Sequence, residues 1–497
     1  MRIKVDVAII GAGHAGLNAV KEVRKVTQNF VLINGGDLGT TCARVGCMPS
    51  KLALQVAQDY QRRHLYERYG ISGSDNMQID IGQTLEHIRD IRDTFVDLVL
   101  ANSTDDMGEE FIAGYAEFLE PDVIRVEGHT LYAKRVIIAT GSRAYVPPQW
   151  QKFGDRVLTS ENLFEQVDLP KKIAVLGLGP IGVEISQVLH RLELEVTGIE
   201  GFTNISRLED PEVNRVAVET LAREFPIWLG QPAEIERQGD RLKVIAGERS
   251  IEVDKLFVSV GRIPNLEGLG LERLGLEIEG RGVHGFNPAT LQVGDLPLFI
   301  AGDANGMNTT LQGAREEGLM AGYNAVQERP AAFKRKTRFT IVFSEPNIVT
   351  VGSRWSELDQ EHTAIGQVRF GPVGRALIMG NNRGMIRVYG DKRNGKILGA
   401  SMIGPRCEHL AHLLAWSIEQ GLGVVDMLRM PYYHPVIEEA LQDALHDLVK
   451  KINNAPSEMV DFERARPSWY RSTMKYSTGT HQGKSRKSHQ YASRILP

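Results

Sequence analysis

Cys42 and Cys47 stand five positions apart in the run Thr40-Thr41-Cys42-Ala43-Arg44-Val45-Gly46-Cys47-Met48-Pro49-Ser50-Lys51, and the 497-residue chain has only one other cysteine, Cys407. A close pair can be a redox-active disulfide, a metal-binding pair or two small buried hydrophobes. Zinc fits least, because structural zinc sites use short Cys pairs in multiples and no second pair exists; no metal ligand is assigned. A disulfide would constrain the backbone. Five residues of ideal helix rise about 7.5 Å, whereas bridged cysteines keep their Cα atoms roughly 4.4–6.8 Å apart. The segment therefore cannot be regular helix throughout if the pair is to bond. Gly46 supplies the freedom to fold the loop back. Pro49 suits the first position of a helix, and Lys51 to His64 continues it with apolar Leu52, Leu54 and Val56. Cys47, just upstream, would face oriented N–H groups that favour a thiolate, the form that exchanges disulfides.

The elements on either side indicate what could receive electrons. Val5 to Ile10 reads as a buried parallel strand, Gly11-Ala12-Gly13-His14-Ala15-Gly16 opens a helix, and Phe30 to Ile33 is a second strand. This is the full context of a dinucleotide-binding glycine loop, with Gly11, Gly13 and Gly16 as its glycines. The frame recurs: the strand Ile173 to Leu176, the loop Gly177-Leu178-Gly179-Pro180-Ile181-Gly182, a helix to about Leu192, and the strand Glu195 to Ile199. The residue ending the second strand should meet the ribose. It is Asn34 in the first frame and Glu200 in the second, each 23 positions after the first glycine. A glutamate accepts from a 2′-hydroxyl and repels a 2′-phosphate, so the second site suits NAD rather than NADP. The cysteine pair follows the first frame directly. The first cofactor should therefore be a flavin, because a flavin can take electrons from a thiolate and a nicotinamide passes only hydride.

At this point the chain resembles the pyridine nucleotide–disulfide oxidoreductases, from about residue 5 to residue 448. The Cys42–Cys47 loop ending Pro49-Ser50-Lys51 is most similar to that of dihydrolipoamide dehydrogenase and mercuric reductase. Ile138-Ala139-Thr140-Gly141 resembles the strand leaving the first lobe of the FAD domain, Val260-Gly261-Arg262 the exit from the NAD domain, and Ala301-Gly302-Asp303-Ala304 the second FAD motif. The resemblance implies that Thr140, Gly141, Gly261 and Asp303 belong to the cofactor sites. It implies that Lys51 pairs with Glu184 beside the flavin, and that Cys42 exchanges with substrate while Cys47 faces the flavin. It also implies that His434, oriented by Glu439, is the base acting on the disulfide of a second subunit, so that a homodimer is required. From the residues alone, the helix there opens with His434 in the N-cap region and Pro435 in the first turn, with Glu438 and Glu439 where the dipole favours acids, and runs to about Lys451. Several residues depart from the family pattern: Thr40 replaces a glycine, Arg44 an asparagine, Asn34 an acid, and Tyr433 is bulky beside the base.

The expected fold is α/β: two Rossmann-like dinucleotide-binding domains and a C-terminal α+β dimerisation domain. The boundaries read as residues 1–150 (FAD domain, first part), 151–270 (NAD domain), 271–336 (return of the FAD domain), 337–452 (dimerisation domain) and 453–497 (a basic tail). From Arg464 to Pro497 that tail has eight Lys or Arg and no acid, the composition of a solvated, disordered segment. A net charge of −4 is too small to argue for a nucleic-acid or membrane partner, so neither is expected, and no apolar run reaches the ~20 residues that span a bilayer. Residues 1–6 show no signal-peptide pattern, so a reducing cytoplasm is expected, where a disulfide is more often catalytic than structural. The expected function is dihydrolipoyl dehydrogenase activity, with a lipoyl-type dithiol arriving as a small molecule or on a protein partner. The alternatives are NAD(P)H-driven reduction of another disulfide, a metal ion or a quinone, and a flavoprotein scaffold that binds a partner through its tail.

Overall fold

The computed structural model describes residues 2–279, 282–283, 285–307, 309–453 and 460–463. The tail from Arg464 onward, for which disorder was expected, lies outside the described residues.

The first sheet is built from β1 (Arg2–Ile10), β2 (Phe30–Asn34), β3 (Phe111–Ala113), β4 (Glu117–Glu120), β5 (Val123–Val126) and β6 (His129–Ile138), in the order β3-β2-β1-β6-β5-β4. β1 is parallel to both β2 and β6, with Ile10 level with Ile33 and Ile138. Ala8, Ile9, Leu32, Ile33 and Ile137 are fully buried, as strands covered on both faces must be. The glycine loop therefore emerges at the carboxyl edge of a central strand, where α1 (His14–Val23) starts.

The second sheet repeats the plan. Its strands are β7 (Val157–Leu158), β8 (Lys172–Leu176), β9 (Glu195–Glu200), β10 (Ile227–Leu229) and β11 (Lys255–Val258), all parallel, in the order β10-β9-β8-β11-β7. The chain then returns to the first sheet, and β12 (Leu298–Ile300) adds parallel to β6. Among the helices, α2 (Thr41–Arg44), α3 (Cys47–Gln61) and α4 (Ile81–Ala101) follow β2 in sequence. The helix α5 (Pro180–Arg191) opens the second glycine loop, α6 (Pro211–Leu221) follows β9, and α7 (Leu311–Ala325) follows β12. Helix α7 docks on α1 at very short range: a Cβ on Gly318 would lie 2.2 Å from the Ala15 carbonyl oxygen, and one on Gly322 2.5 Å from that of Ala19. Glycine at those two places lets the return segment close onto the first unit.

The third sheet is antiparallel: β13 (Phe339–Val342), β14 (Asn347–Gly352), β15 (Thr363–Arg369), β16 (Met385–Asp391) and β17 (Ile397–Gly404), in the order β13-β14-β17-β16-β15. It packs against α8 (Cys407–Glu419) and α9 (Glu439–Val449) around Leu410, Leu414, Leu441 and Leu445. Helix α9 lies so close to β15 that a Cβ on Gly366 would sit 2.1 Å from the Ala444 carbonyl oxygen. Cys407, given no role above, is buried in this core.

Candidate active site

The cysteine segment is two helices joined by a tight turn. Helix α3 begins at Cys47, two residues earlier than the position expected for Pro49, which instead occupies the third helical residue. A proline is tolerated there because the first-turn N–H groups have no intrahelical acceptor to lose. Gly46 is its N-cap, and a Cβ there would lie 2.9 Å from the Thr41 carbonyl oxygen, so only glycine lets α2 and α3 approach. Cys47 is thus at the amino end of a 15-residue helix, where the dipole favours an anion.

Both cysteines are half-buried free thiols in this structure. The Cys42 thiol hydrogen-bonds to Cys47, and the two sulfurs part company electrically. That bond, aided by the charge of Lys51, lowers Cys47 to about 7 against the push of burial. The same bond, with burial, raises Cys42 far above an ordinary thiol. A reduced pair therefore holds its charge on Cys47 at neutral pH.

One turn along α3, Lys51 Nζ donates to Glu184 Oε2 at 2.7 Å. Glu184 lies on α5 of the second unit and is buried. Its other oxygen accepts from the backbone N–H of Phe343 at 2.8 Å, and Lys51 Nζ sits 4.9 Å from the Phe343 ring centroid. All three sheet units thus supply a group to the Lys51 position.

The glycine loops separate into two kinds. A Cβ on Gly16 would lie 1.8 Å from the Gly11 carbonyl oxygen, and one on Gly182 1.9 Å from that of Gly177, while Gly11 and Gly177 take φ of 110° and 89°. Those glycines are required by the protein's own packing. Gly13 and Gly179 are not: a Cβ there would meet nothing within 4 Å. Open space in front of two helix N-termini fits a pyrophosphate approached by backbone. The residues ending β2 and β9 fold back on these loops. Asn34 Oδ1 accepts from Ala12 N at 3.1 Å, and Glu200 Oε2 accepts from Leu178 N at 2.7 Å. Gly141 and Gly261, with φ of 69° and 141°, also face open space. Thr140 Oγ1 is buried and has no hydrogen-bond partner among the described residues. Asp303, in the turn after β12, accepts from Ser142 Oγ at 2.6 Å and lies 3.9 Å from Arg262; burial raises its carboxyl despite both. Together these positions fit an FAD along the first loop and a second dinucleotide along the other.

His434 is placed differently from expectation. The helix begins at Glu439, not at His434-Pro435, and Glu438 is its N-cap. A residue before proline avoids helical geometry, and the His434–Pro435 peptide is cis. The dyad nevertheless forms: His434 Nδ1 lies 2.8 Å from Glu439 Oε1, and Glu439 Oε2 accepts from Val436 N at 3.1 Å. The histidine contact holds Glu439 below the usual carboxylate range. The His434 side chain is 80 % exposed, and the cavity at Cys42 is lined without it. Within one chain the structure does not bring His434 and the cysteines together.

Two departures noted from the sequence acquire physical meaning. Arg44 adds no free charge at the pair, because its guanidinium is bonded to Asp37. Thr40 takes φ 66° and ψ 149°, a conformation that suits glycine, while its hydroxyl caps α2 by accepting from Ala43 N. The sequence reading missed a cavity of about 430 Å³ reached by Cys42 and lined by α1 and α4 residues, among them His14, Lys21 and Phe95. The histidine inside the first glycine loop was its only visible signal.

The family model for pyridine nucleotide-disulphide oxidoreductases matches residues 5–328, and the model for the dimerisation domain of the same family matches residues 339–445. The chain belongs to the pyridine nucleotide-disulphide oxidoreductase family. Members bind FAD and use a pyridine nucleotide. Dihydrolipoyl dehydrogenase of Thermus scotoductus is 28% identical over 466 residues, covering 90% of this chain and 98% of that one. Mercuric reductase of Bacillus cereus is 27% identical, covering 90% and 72%. Among solved structures, the HOCl-induced flavoprotein disulfide reductase RclA from Escherichia coli, determined as a Cu(II) complex, and LpdA from Mycobacterium tuberculosis each superpose with a TM-score of 0.78 at 22% identity, covering 89% of this chain and 99% of theirs. The disulphide oxidoreductase fold is therefore common to enzymes of different substrates, and no described helix is long and apolar enough to cross a membrane.

Proposed function

We propose that this oxidoreductase is a homodimeric, FAD-dependent dihydrolipoyl dehydrogenase that uses NAD+. The observation that carries the reading is the polarised pair: Cys47 as thiolate at the start of α3, one turn from the Lys51–Glu184 ion pair, with Cys42 open to the cavity.

In the oxidised enzyme Cys42 and Cys47 share a disulfide. A thiolate of the substrate dithiol attacks Cys42 Sγ; the Cys42–Cys47 bond breaks and Cys47 leaves as a thiolate. The second substrate thiol, deprotonated by His434 of the partner subunit, attacks the mixed disulfide; the substrate leaves as a cyclic disulfide and Cys42 takes the proton. Two electrons have moved from substrate to the pair. Glu439 keeps the proton of His434 on Nδ1, so Nε2 is the accepting atom. The first glycine loop, Thr140 and Asp303 would hold FAD, and the bound flavin would supply a two-electron acceptor between the Cys47 thiolate and a nicotinamide. Lys51 provides positive charge where electron density arrives, and Glu200 selects NAD over NADP by repelling a 2′-phosphate.

The test is steady-state turnover of the FAD-loaded chain with dihydrolipoamide and NAD+, set against NADH or NADPH with a panel of disulfides. Turnover with dihydrolipoamide, and a higher kcat/KM for NAD+ than for NADP+, is expected. Turnover confined to NADPH and another acceptor overturns the reading. A soft metal ion is the second candidate substrate, because Met48 and Met107 bring thioethers to the cavity of Cys42; NAD(P)H-driven metal reduction in the same panel would select it.

A further inference from the structure

The cavity beside Cys42 has a chemistry that the exchange reaction alone does not require. Leu17, Phe95, Leu98 and Val99 give it an apolar wall. Its basic residues, His14, Lys21 and Arg24, follow one another at helical spacing along α1 and its C-cap, while Asn18, Thr40, Asn102 and Ser103 supply neutral polar groups. Among the described residues no carboxylate lines it. Arg24 is neutralised by Glu110 at 2.5 Å. Lys21 is not: its Nζ donates to Asn18 Oδ1 at 3.3 Å, and among the described residues it meets no carboxylate. Burial, then the charges of Lys21 and Arg315, hold His14 below the usual imidazole range, so that Lys21 is left as the fixed cation of the lining. An ammonium at the margin of an apolar cavity without a counter-charge is complementary to an anion.

We propose that the dithiol exchanged at Cys42 is a low-molecular-weight molecule whose apolar carbon chain ends in a carboxylate, the chain lying along Leu17, Phe95 and Leu98 and the carboxylate on Lys21. This rests on the reading that Cys42 is the exchanging sulfur, and it narrows the substrate: a lipoyl group in amide linkage to a protein lacks the charge, whereas the free acid carries it. The volume, about 430 Å³, is that of a small-molecule site. The carboxylate takes no part in bond making; the thiolate displaces Cys47 from Cys42 as described above.

Dihydrolipoate and dihydrolipoamide form a matched pair of probes, identical in sulfurs and chain and differing only at the end group. With FAD-loaded protein and NAD+ at low ionic strength, the acid should show a KM about threefold to fivefold below that of the amide, the difference an ion pair to an exposed lysine makes. The preference should shrink in salt and approach unity in Lys21→Gln. Lys25→Gln, which removes an exposed lysine paired with Glu22 outside the cavity, should leave it in place. Equal KM values in the unmodified protein, or a ratio unmoved by Lys21→Gln, overturns the proposal. A second readout needs no turnover: the rate of alkylation of reduced Cys42 by iodoacetate relative to iodoacetamide, followed by mass spectrometry. Both reagents react at the same sulfur in the same protonation state, so the change in their ratio on replacing Lys21 reports the charge that Lys21 brings there. The ratio should exceed that for a small free thiol and fall to it in Lys21→Gln; no excess overturns the proposal. An excess in a protein that oxidises neither lipoyl probe keeps the anion site and removes the dihydrolipoyl reading instead.

Discussion

Thr40 and Cys47 show how single residues are tuned around the pair. Thr40 holds φ 66° and ψ 149° with its side chain buried, a region in which a side chain costs about 1–3 kcal/mol. Replacing it by glycine or alanine removes the same cap and the same methyl, so comparing the two variants isolates the backbone. Thr40→Gly should be the more stable by about 1–2 kcal/mol in urea unfolding, reversing the usual order of the two residues. Cys47 offers a test in pH. Its thiol is lowered to about 7 in the reduced protein, so the thiolate is present above that pH and is lost as pH falls through it. Thiolate absorbance near 240 nm should titrate with a midpoint of about 7 in reduced protein and lose that step in Cys47→Ser. Lys51→Met should move the midpoint upward, because a positive charge that favours the thiolate is gone.

At the scale of elements, the glycine loops do two separable jobs. Gly16 lets α1 start against its own loop, and a methyl there would have to displace the Gly11 carbonyl. Gly13 leaves room for something outside the protein. Gly16→Ala should therefore destabilise the cofactor-free chain in thermal or urea unfolding, whereas Gly13→Ala should leave its stability within about 0.5 kcal/mol of the original. The latter should weaken FAD binding at least tenfold in a fluorescence titration. A Gly13→Ala variant with unchanged FAD affinity would remove the pyrophosphate from that position. The start of α9 has a comparable logic. Proline after His434 keeps the histidine out of the helix, and the helix then presents Glu439 from its first residue to orient the imidazole.

The whole molecule is held in register by polar contacts between units. Asp210, fully buried, caps α6 through the N–H groups of Glu212 and Val213 and accepts from Arg387 at 2.5 Å and from Tyr389 at 2.6 Å, tying the second unit to the third sheet. Asp210→Ala leaves the half-buried Arg387 guanidinium without its carboxylate and removes the cap of α6, and should cost about 3 kcal/mol in thermal or urea unfolding. The exposed His434 poses a question at the scale of two chains. If each active site takes Cys42 from one chain and His434 from the other, inactive Cys42→Ser and His434→Gln proteins should complement. In a random mixture of re-associated dimers, activity should return to about one quarter of the original, because half the dimers are hybrids with one intact site. Continued inactivity of the hybrids would place base and disulfide in the same chain.

What was legible beforehand was everything set by local rules. The duplicated strand–glycine loop–helix frames could be read because burial on both sheet faces demands unbroken apolar strands, and because loops near a pyrophosphate tolerate few side chains. The five-residue spacing of Cys42 and Cys47 and the order His434…Glu439 were equally open to inspection. Helix starts were misread at Pro49 and Pro435, since a proline marks the neighbourhood of a helix end without saying which of several residues caps it. The joint placement of Lys51, Glu184 and the Phe343 amide needed three units to be packed together. The neutralising of Arg44 by Asp37 and of Arg24 by Glu110, with Lys21 left facing an apolar cavity, was likewise decided only in three dimensions. Charge compensation depends on distance through space, and a sequence records distance only along the chain.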